Sequence, residues 1–179
     1  EELYRYDEAL RIYEAAIEMD PTNTRLRYSL GNVLEKSGRR SRSLAEMERI
    51  LAEKPDEASA ANFIGYTLAV SDKDPAKAEK LIRRAVELKP DDGYIADSLA
   101  FILFKQGKND EALELLKKAV TKVKHDPIIS EHLGDVLLAK GQKEEAVEAY
   151  RKSLTENPEN LVVQEKLRKL EEAIGTKKK

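Results

Sequence analysis

The chain has 179 residues, of which 37% are charged and 41% are hydrophobic, and its formal net charge is -2. It contains no cysteine, which excludes disulfides, zinc–thiolate sites and thiol nucleophiles. Because no strong basic field and no apolar run of ~20 residues is present, we expect no nucleic-acid partner and no direct membrane insertion in this segment.

A repeat of about 34 residues runs along the chain. Small residues follow aliphatic ones at regular spacing, as Leu30-Gly31, Ile64-Gly65, Leu99-Ala100 and Leu133-Gly134. Prolines recur with the same period at Pro21, Pro55, Pro90 and Pro158. A period of this length is typical of stacked helical hairpins.

A second set of small residues recurs with a larger residue four positions later. The pairs are Ala9/Tyr13, Ser43/Met47, Ala78/Ile82, Ala112/Leu116 and Ala146/Tyr150. Residues four apart share one face of a helix. The small residue is expected to let a neighbouring helix approach, and the large one to fill the space beside it.

These landmarks resemble the tetratricopeptide repeat (TPR) family, and the unit with Leu133-Gly134, Leu137, Ala146, Tyr150 and Pro158 shows the family's offsets. The family's tryptophan position instead holds Arg27, Ala61, Ala96 and Ser130. The resemblance implies an all-α fold, an α-solenoid of helical hairpins that forms a right-handed superhelix. The first helix of each hairpin would line its concave groove.

Seven segments are predicted in chain order. They are 1–21 as the second helix of a truncated repeat, 22–56, 57–91, 92–125 and 126–159 as four repeats, 160–174 as a C-terminal capping helix, and 175–179 as a disordered tail. In the first segment, we expect Leu3, Tyr6, Leu10 and Tyr13 to lack a partner hairpin, as if the chain were cut from a longer array. In the capping helix, we expect Leu161, Leu167, Leu170 and Ile174 to face inward.

Local signals within the repeats agree with this division. Asp74-Pro75 and Asp126-Pro127 place an acidic N-cap before a proline at the first helical position. Gly38, Gly107 and Gly141 stand where the first helix of a hairpin should end.

The resemblance also indicates which side chains face the groove. The candidate partner-binding residues are Tyr28, Asn32, Asn62, Phe63, Tyr66, Tyr94, Asp97, Phe101, Phe104, Glu131 and Asp135. Exposed aromatic residues in a concavity are common anchors of recognition surfaces, and asparagine side chains can hold a peptide backbone. The competing interpretation is that Phe101 and Phe104 pack as core residues. Some members of the family clamp a C-terminal carboxylate with Lys, Asn and Arg, and only Asn32 fits that pattern.

We therefore predict a protein–protein interaction scaffold or adaptor that binds a peptide or helix of a partner protein in the groove. An apolar segment with a basic flank would suit it, with the flank facing Asp97, Glu131 and Asp135. The alternative is a structural module that self-assembles through its N-terminal helix. The sequences of several repeats resemble those of bacterial TPR proteins, several of which are envelope lipoproteins. The resemblance does not decide whether the compartment is the periplasm or envelope or the cytoplasm.

No catalytic constellation is apparent, so we predict that the protein is not an enzyme and has no cofactor. His132 lies beside Glu131 and Asp135, but a metal site needs a further ligand in set geometry, and we predict none. Four arginines crowd one short segment, at Arg39, Arg40, Arg42 and Arg49. A solvated edge is the interpretation we favour for them, and an anion-binding patch is the alternative.

Overall fold

In a computed structural model that describes residues 2–175, and the side chains of residues 5–175, the chain forms ten α-helices and no strand. The helices are α1 Glu2–Met19, α2 Thr24–Lys36, α3 Arg40–Glu53, α4 Ala58–Val70, α5 Pro75–Leu88, α6 Gly93–Lys105, α7 Asn109–Lys122, α8 Pro127–Ala139, α9 Lys143–Glu156 and α10 Leu161–Gly175. Among these described helices, none combines the length and the apolar character that crossing a bilayer requires. The predicted all-α repeat fold is confirmed.

Four helix pairs share one plan. The pairs are α2–α3, α4–α5, α6–α7 and α8–α9, with 13 residues in each first helix and 14 in each second helix. They fall within the predicted ranges 22–56, 57–91, 92–125 and 126–159. We number positions from the first residue of each first helix, so that position 8 holds Gly31, Gly65, Ala100 and Gly134.

Close packing inside each pair explains the two sets of small residues. The side chains of Met47, Ile82, Leu116 and Tyr150 are fully buried, as are the small residues four positions before them. A Cβ added to Gly134 would lie 2.5 Å from the Tyr150 ring. The small residue at position 8 is therefore required by the large side chain that faces it from the second helix.

The helix ends follow the predicted signals. Asp126 caps α8, its carboxylate accepting hydrogen bonds from the backbone N–H groups of Ile128 and Ile129 at 2.9 Å. Gly38, Gly107 and Gly141 follow first helices with φ near +75°, a conformation that favours glycine. After α4 the equivalent residue is Asp72, with φ of 52°.

The chain divides into two compact units, Glu1–Leu88 and Lys89–Lys179. In the first unit, α1 packs on α2 through a cluster of Leu10, Leu30 and Leu34. Tyr13 packs against the same cluster. The prediction that Leu10 and Tyr13 lack a partner is therefore wrong, because α2 covers them.

Two apolar residues of α1 that were not predicted to lack a partner are exposed. Ile12 and Met19, which lie seven residues apart, are 63% and 89% exposed. Tyr6 is half-buried, and the side chain of Leu3 lies outside the described residues.

In the second unit, α10 packs on α9. Leu170 is buried as predicted, but Leu161 is 74% exposed and Val163 is fully buried. Leu167 and Ile174 are half-buried, so the predicted inward face is wrong only at its start, where α10 begins at Leu161 and its first turn packs through Val163 instead. Gly175 ends α10, and the rest of the predicted tail, residues 176–179, lies outside the described residues.

Candidate functional site

The eleven predicted partner-binding residues share one face of the first helices. They all stand at positions 2, 5, 9 or 12 of α2, α4, α6 or α8, or at position 6 of α4. Within each unit, we call the surface formed by positions 2, 5, 6, 9 and 12 the first-helix face of that unit. Its chemistry differs between the two units.

In the first unit, the central part of this face is uncharged. Tyr28 and Phe63 are half-buried and pack against a core of Met47, Ile50 and Ile64. Met47 and Ile50 belong to α3 and Ile64 to α4, so both rings pack where the two hairpins of this unit meet. Both aromatic residues thus have a structural role as well as an exposed edge.

Two amides and a tyrosine complete the face of the first unit. Asn32, Asn62 and Tyr66 are each half-buried. The Oδ1 atom of Asn62 is buried and, within the described part of the chain, has no hydrogen-bond partner. A desolvated acceptor without a donor costs about 1–3 kcal/mol, so a donor from a bound molecule would relieve that cost.

In the second unit, charged side chains connect successive first helices. His132 of α8 donates its Nδ1 hydrogen to Asp97 of α6, with 2.8 Å between the nitrogen and the carboxylate oxygen. The side chains of Asp97 and His132 are only 8% and 13% exposed. The Phe101 ring lies against the imidazole, with ring centroids 5.1 Å apart, and the Lys105 ammonium lies 5.6 Å from the centroid of the Phe101 ring.

A second connection joins α8 to α10. The Nζ atom of Lys166 lies 2.8 Å from Glu131 Oε1 and 2.8 Å from both carboxylate oxygens of Asp135. Asn160 donates to the other oxygen of Glu131 at 3.3 Å, and the buried Tyr150 donates to Asp135 at 2.7 Å. Three elements thus supply the groups that satisfy these two carboxylates.

The acidic surroundings change the titration of the groups they hold. Burial lowers the pKa of His132, but the hydrogen bond to Asp97 and the charges of Asp97, Asp135 and Glu131 outweigh burial and raise it above 6.5. For Lys166 burial also lowers the pKa, and hydrogen bonds to Asp135 and Glu131 again produce a net increase. Burial and the hydrogen bond to Asp135 raise the pKa of the Tyr150 hydroxyl.

Both connections use the same positions. The residue at position 6 of one first helix lies between positions 5 and 9 of the preceding one, as His132 does for Asp97 and Phe101 and Lys166 does for Glu131 and Asp135. We call each such contact a rung. Sequence reasoning missed the rungs, although the signal was present: Asp97 and His132, like Glu131 and Lys166, are 35 residues apart and pair an acid with a base.

The comparisons with known proteins agree with this architecture. Residues 11–172 match the family model of the tetratricopeptide repeat-like domain. The chain belongs to this family. The TPR repeat-containing protein PA4667 of Pseudomonas aeruginosa is 34% identical over 106 residues, which are 57% of this chain and 17% of that protein. The ER membrane protein complex subunit 2-A of Xenopus laevis is 29% identical over 107 residues, 60% of this chain and 36% of that protein. The chain thus matches well under two thirds of the length of either relative.

Two solved structures share the TPR fold. The crystal structure of TTC0263, a thermophilic TPR protein of Thermus thermophilus, has a TM-score of 0.73 at 21% identity and covers 94% of this chain and 91% of that one. YrrB, described as a TPR protein with an unusual peptide-binding site, has a TM-score of 0.59 at 21% identity and covers 93% and 86% of the two chains. At these identities the structures show the fold alone.

Against this TPR framework, the acidic part of the predicted site needs correction. Asp97 is 5% exposed and bonded to His132, while Glu131 and Asp135 hold Lys166. Asp97 is therefore too buried to face the basic flank of a partner, whereas Glu131 and Asp135 are partly exposed and already pair with a cation of the chain itself. That these two also meet a partner stays a prediction.

The aromatic part of the predicted site is graded in exposure. Tyr94 is 56% exposed, whereas Phe63, Tyr66, Phe101 and Phe104 are each half-buried. Phe101 serves the first rung, in line with the competing interpretation that it packs against its neighbours.

Among the described residues, no group of three or more histidines and carboxylates could hold a metal ion.

The four arginines near the start of α3 pair with carboxylates. The pairs are Arg39 with Asp7, Arg40 with Glu35, Arg42 with Glu14 and Arg49 with Glu46. Two of these pairs connect the start of α3 to α1, so the segment stabilises the first unit rather than offering unpaired positive charge to an anion.

Proposed function

We propose that this protein is a protein-interaction scaffold that binds a peptide or helix of a partner protein on its first-helix face. The TPR family and fold support an interaction scaffold in general, and TPR proteins are generally scaffolds rather than enzymes. The printed description of YrrB as a peptide-binding TPR protein supports the finer statement by likeness of fold.

The observation that carries the proposal is the uncharged face of the first unit. Tyr28, Phe63 and Tyr66 supply half-buried rings, and Asn62 supplies a buried acceptor with no donor among the described residues. Rings with part of their surface exposed provide apolar contact at little entropic cost. A backbone N–H of a bound peptide would satisfy Asn62, and Asn32 adds a further donor and acceptor.

A photo-crosslinking experiment tests this assignment. A photoreactive phenylalanine analogue replaces Tyr66 on the first-helix face, and in a matched protein it replaces Lys80, an exposed residue of α5. Illumination in cells of the source organism should produce a specific crosslinked protein from position 66 and none from position 80. Tyr66→Ala should weaken binding of the captured partner by about 1–3 kcal/mol with helicity unchanged.

Two results would contradict the assignment of binding to the first-helix face. Equal crosslinking from both positions, or a partner affinity unchanged by Tyr66→Ala, would place binding elsewhere on the chain.

Self-assembly through α1 is a second candidate, favoured by one observation. Ile12 and Met19 are exposed on α1 with a spacing of seven residues, which places them on one side of the helix. Sedimentation of the wild-type chain beside Ile12→Ser and Met19→Ser variants separates the two candidates. A multimer that dissociates in both variants supports assembly, and a monomer at all concentrations rejects it.

A further inference from the structure

We propose that α1 is a docking site for a helix of a partner protein in which an acid directly follows a glycine. This inference goes beyond the proposed function, because it concerns a surface of α1 and not the first-helix face. It rests on a helix–helix interface that occurs four times inside the chain, in the pairs α2–α3, α4–α5, α6–α7 and α8–α9.

By register, α1 corresponds to the second helix of a pair. Ala9 and Tyr13 lie four positions apart, like the small and large residues of α3, α5, α7 and α9, and Ala16 follows three positions later. Helix α9 has the same alanine and the same tyrosine, at Ala146 and Tyr150. The α8–α9 interface is therefore the internal guide to what α1 can bind.

The equivalent residues are buried to different degrees. In α3, α5, α7 and α9, the small residue, the large residue and the residue three positions after it are at most 1% exposed. In α1, Ala9, Tyr13 and Ala16 are only half-buried. Helix α2 covers one side of α1. The half-burial shows that, within the described chain, the side covered by a first helix in each of the four pairs is open.

Two residues show which contacts the open side of α1 lacks. Ile12 is 63% exposed, whereas its equivalent Ala149 in α9 is 6% exposed. The hydroxyl of Tyr150 donates to Asp135 of α8 at 2.7 Å, whereas the hydroxyl of Tyr13 donates to no other described residue. A docked helix would thus bury an aliphatic side chain and supply an acceptor for a phenol.

Helix α8 indicates the chemistry of the occupant. A Cβ added to Gly134 would lie 2.5 Å from the Tyr150 ring, so a helix that packs on a tyrosine in this register needs a glycine at that place. The residue after the glycine is Asp135, whose carboxylate accepts the phenol hydrogen of Tyr150. A glycine followed by an acid is therefore the sequence that suits Tyr13.

A second copy of this chain does not offer such a helix. The residues at position 8 of α2, α4, α6 and α8 are buried inside their own pairs. Helix α10 is equivalent to a first helix by register, but its position 8 is Arg168, whose guanidinium pairs with Glu165 and Glu172. An arginine cannot approach the ring of Tyr13 as closely as glycine approaches that of Tyr150, so the occupant belongs to a different protein.

A synthetic peptide tests the docking site on the full chain. The probe is a fluorescein-labelled peptide with the sequence of α8, residues 127–139, and two matched peptides carry Gly134→Arg or Asp135→Asn. We expect the α8 peptide to bind and to gain helicity by circular dichroism. The Gly134→Arg peptide should bind at least tenfold more weakly, because the larger side chain cannot pack on Tyr13, and the Asp135→Asn peptide should bind about fivefold more weakly.

Variants of α1 provide matched controls. Ile12→Arg should weaken binding of the α8 peptide at least tenfold, because a charge replaces an apolar contact. Tyr13→Phe should weaken it about fivefold and should abolish the difference between the α8 peptide and its Asp135→Asn form, since the acceptor then has no donor. Ile128→Ser changes an exposed apolar residue of the chain outside α1 and should leave binding unchanged. Unchanged circular dichroism of the free variants excludes unfolding as the cause.

Photo-crosslinking in cells of the source organism identifies the occupant. The photoreactive phenylalanine analogue replaces Ile12, and in a matched protein it replaces Lys80, an exposed residue of α5. We expect position 12, but not position 80, to crosslink a segment of another protein in which an acid follows a glycine. Mass spectrometry of the crosslinked peptide identifies that segment.

Three results would overturn the inference. These are equal binding of the α8 peptide and its Gly134→Arg form, binding unaffected by Ile12→Arg, and a crosslink from position 12 that joins the chain to itself or to a second copy. If position 12 fails while position 66 crosslinks a partner, only this docking site is rejected. If position 66 fails while position 12 captures a helix with glycine and acid in succession, this inference stands and the proposed function is rejected.

Discussion

The two units differ in where charged side chains pair: inside a hairpin in the first unit, and between successive first helices in the second. In the first unit, Arg27 and Glu46 form an ion pair inside the α2–α3 hairpin, and the centre of the first-helix face is uncharged. In the second unit, the hairpin interiors are mainly apolar, and the charges lie in rungs between first helices. The repeat therefore determines which positions touch, whereas the residues at those positions decide whether a face is satisfied internally or left for a partner.

The Arg27 pair offers the largest expected effect. Arg27 is nearly buried and donates to Glu46 at 3.0 Å and to the carbonyl of Pro21 at 2.8 Å. Arg27→Ala should lower the free energy of unfolding by about 3 kcal/mol, because it leaves Glu46 without its principal cation in a site where that carboxylate is 13% exposed. Urea denaturation followed by circular dichroism measures this loss.

The same position in the second unit supplies the control. Ser130 is the equivalent residue of α8, and its hydroxyl donates to the carbonyl of Asp126, at the start of its own helix. Ser130→Ala should cost less than about 1 kcal/mol. Similar losses for Arg27→Ala and Ser130→Ala would show that the buried pair does not distinguish the units.

The two units also differ in the side chain that packs against the glycine at position 8. A Cβ at Gly134 would meet the Tyr150 ring at 2.5 Å, and one at Gly31 would overlap the terminal methyl of Met47. The ring is rigid and fully buried, whereas the methionine end can rotate away. Gly134→Ala should therefore destabilise by about 1–3 kcal/mol.

Gly31→Ala should remain within about 1 kcal/mol of wild type, because alanine is also the better helix former. Thermal unfolding of both variants checks the ranking. A larger loss for Gly31→Ala than for Gly134→Ala would contradict the distinction between a rigid and a flexible neighbour.

Much of this fold was predictable because its strongest determinants are local and periodic. The pairs Ser43/Met47 and Ala146/Tyr150 reveal helix packing, and Gly38 and Gly141 reveal where first helices end, through backbone preferences that hold in any context. The eleven site residues were placed on one face by the register of the repeat together with the geometry that the family resemblance implies. Whether they bind a partner stays a prediction.

The predictions that failed concern side-chain contacts between helices one repeat apart. Position in a repeat shows that Asp97 and Asp135 face the same way, but not that His132 and Lys166 reach back to them. The same limit explains the missed pairing of Arg39 with Asp7, since the partner stands 32 residues earlier in another helix. The partner that a long polar side chain reaches depends on how helices distant in the sequence pack together. The residue pattern of a single helix does not show that packing.

The smallest expected effect is the pH dependence that distinguishes the two rungs. His132 is surrounded by Asp97 and Lys105 of α6, Glu131 and Asp135 of its own helix, and Lys166 of α10. Its pKa in the folded chain lies above the ordinary 6.5, because the hydrogen bond to Asp97 and the nearby carboxylates outweigh burial. The imidazolium therefore stabilises the fold fully below pH 6.5, and this contribution is lost as the pH rises through the raised pKa.

Substitution of His132 isolates that contribution. The unfolding free energy of wild type relative to His132→Gln should decrease from about pH 6 to about pH 8, since every other titrating group is common to both proteins. His132→Lys converts the first rung to the chemistry of the second, in which Lys166 already pairs with a carboxylate, and should show no such decrease. A constant difference between wild type and His132→Gln would mean that folding leaves the pKa of His132 unchanged, and a difference that grows with pH would mean that folding lowers this pKa and that a neutral imidazole holds the rung.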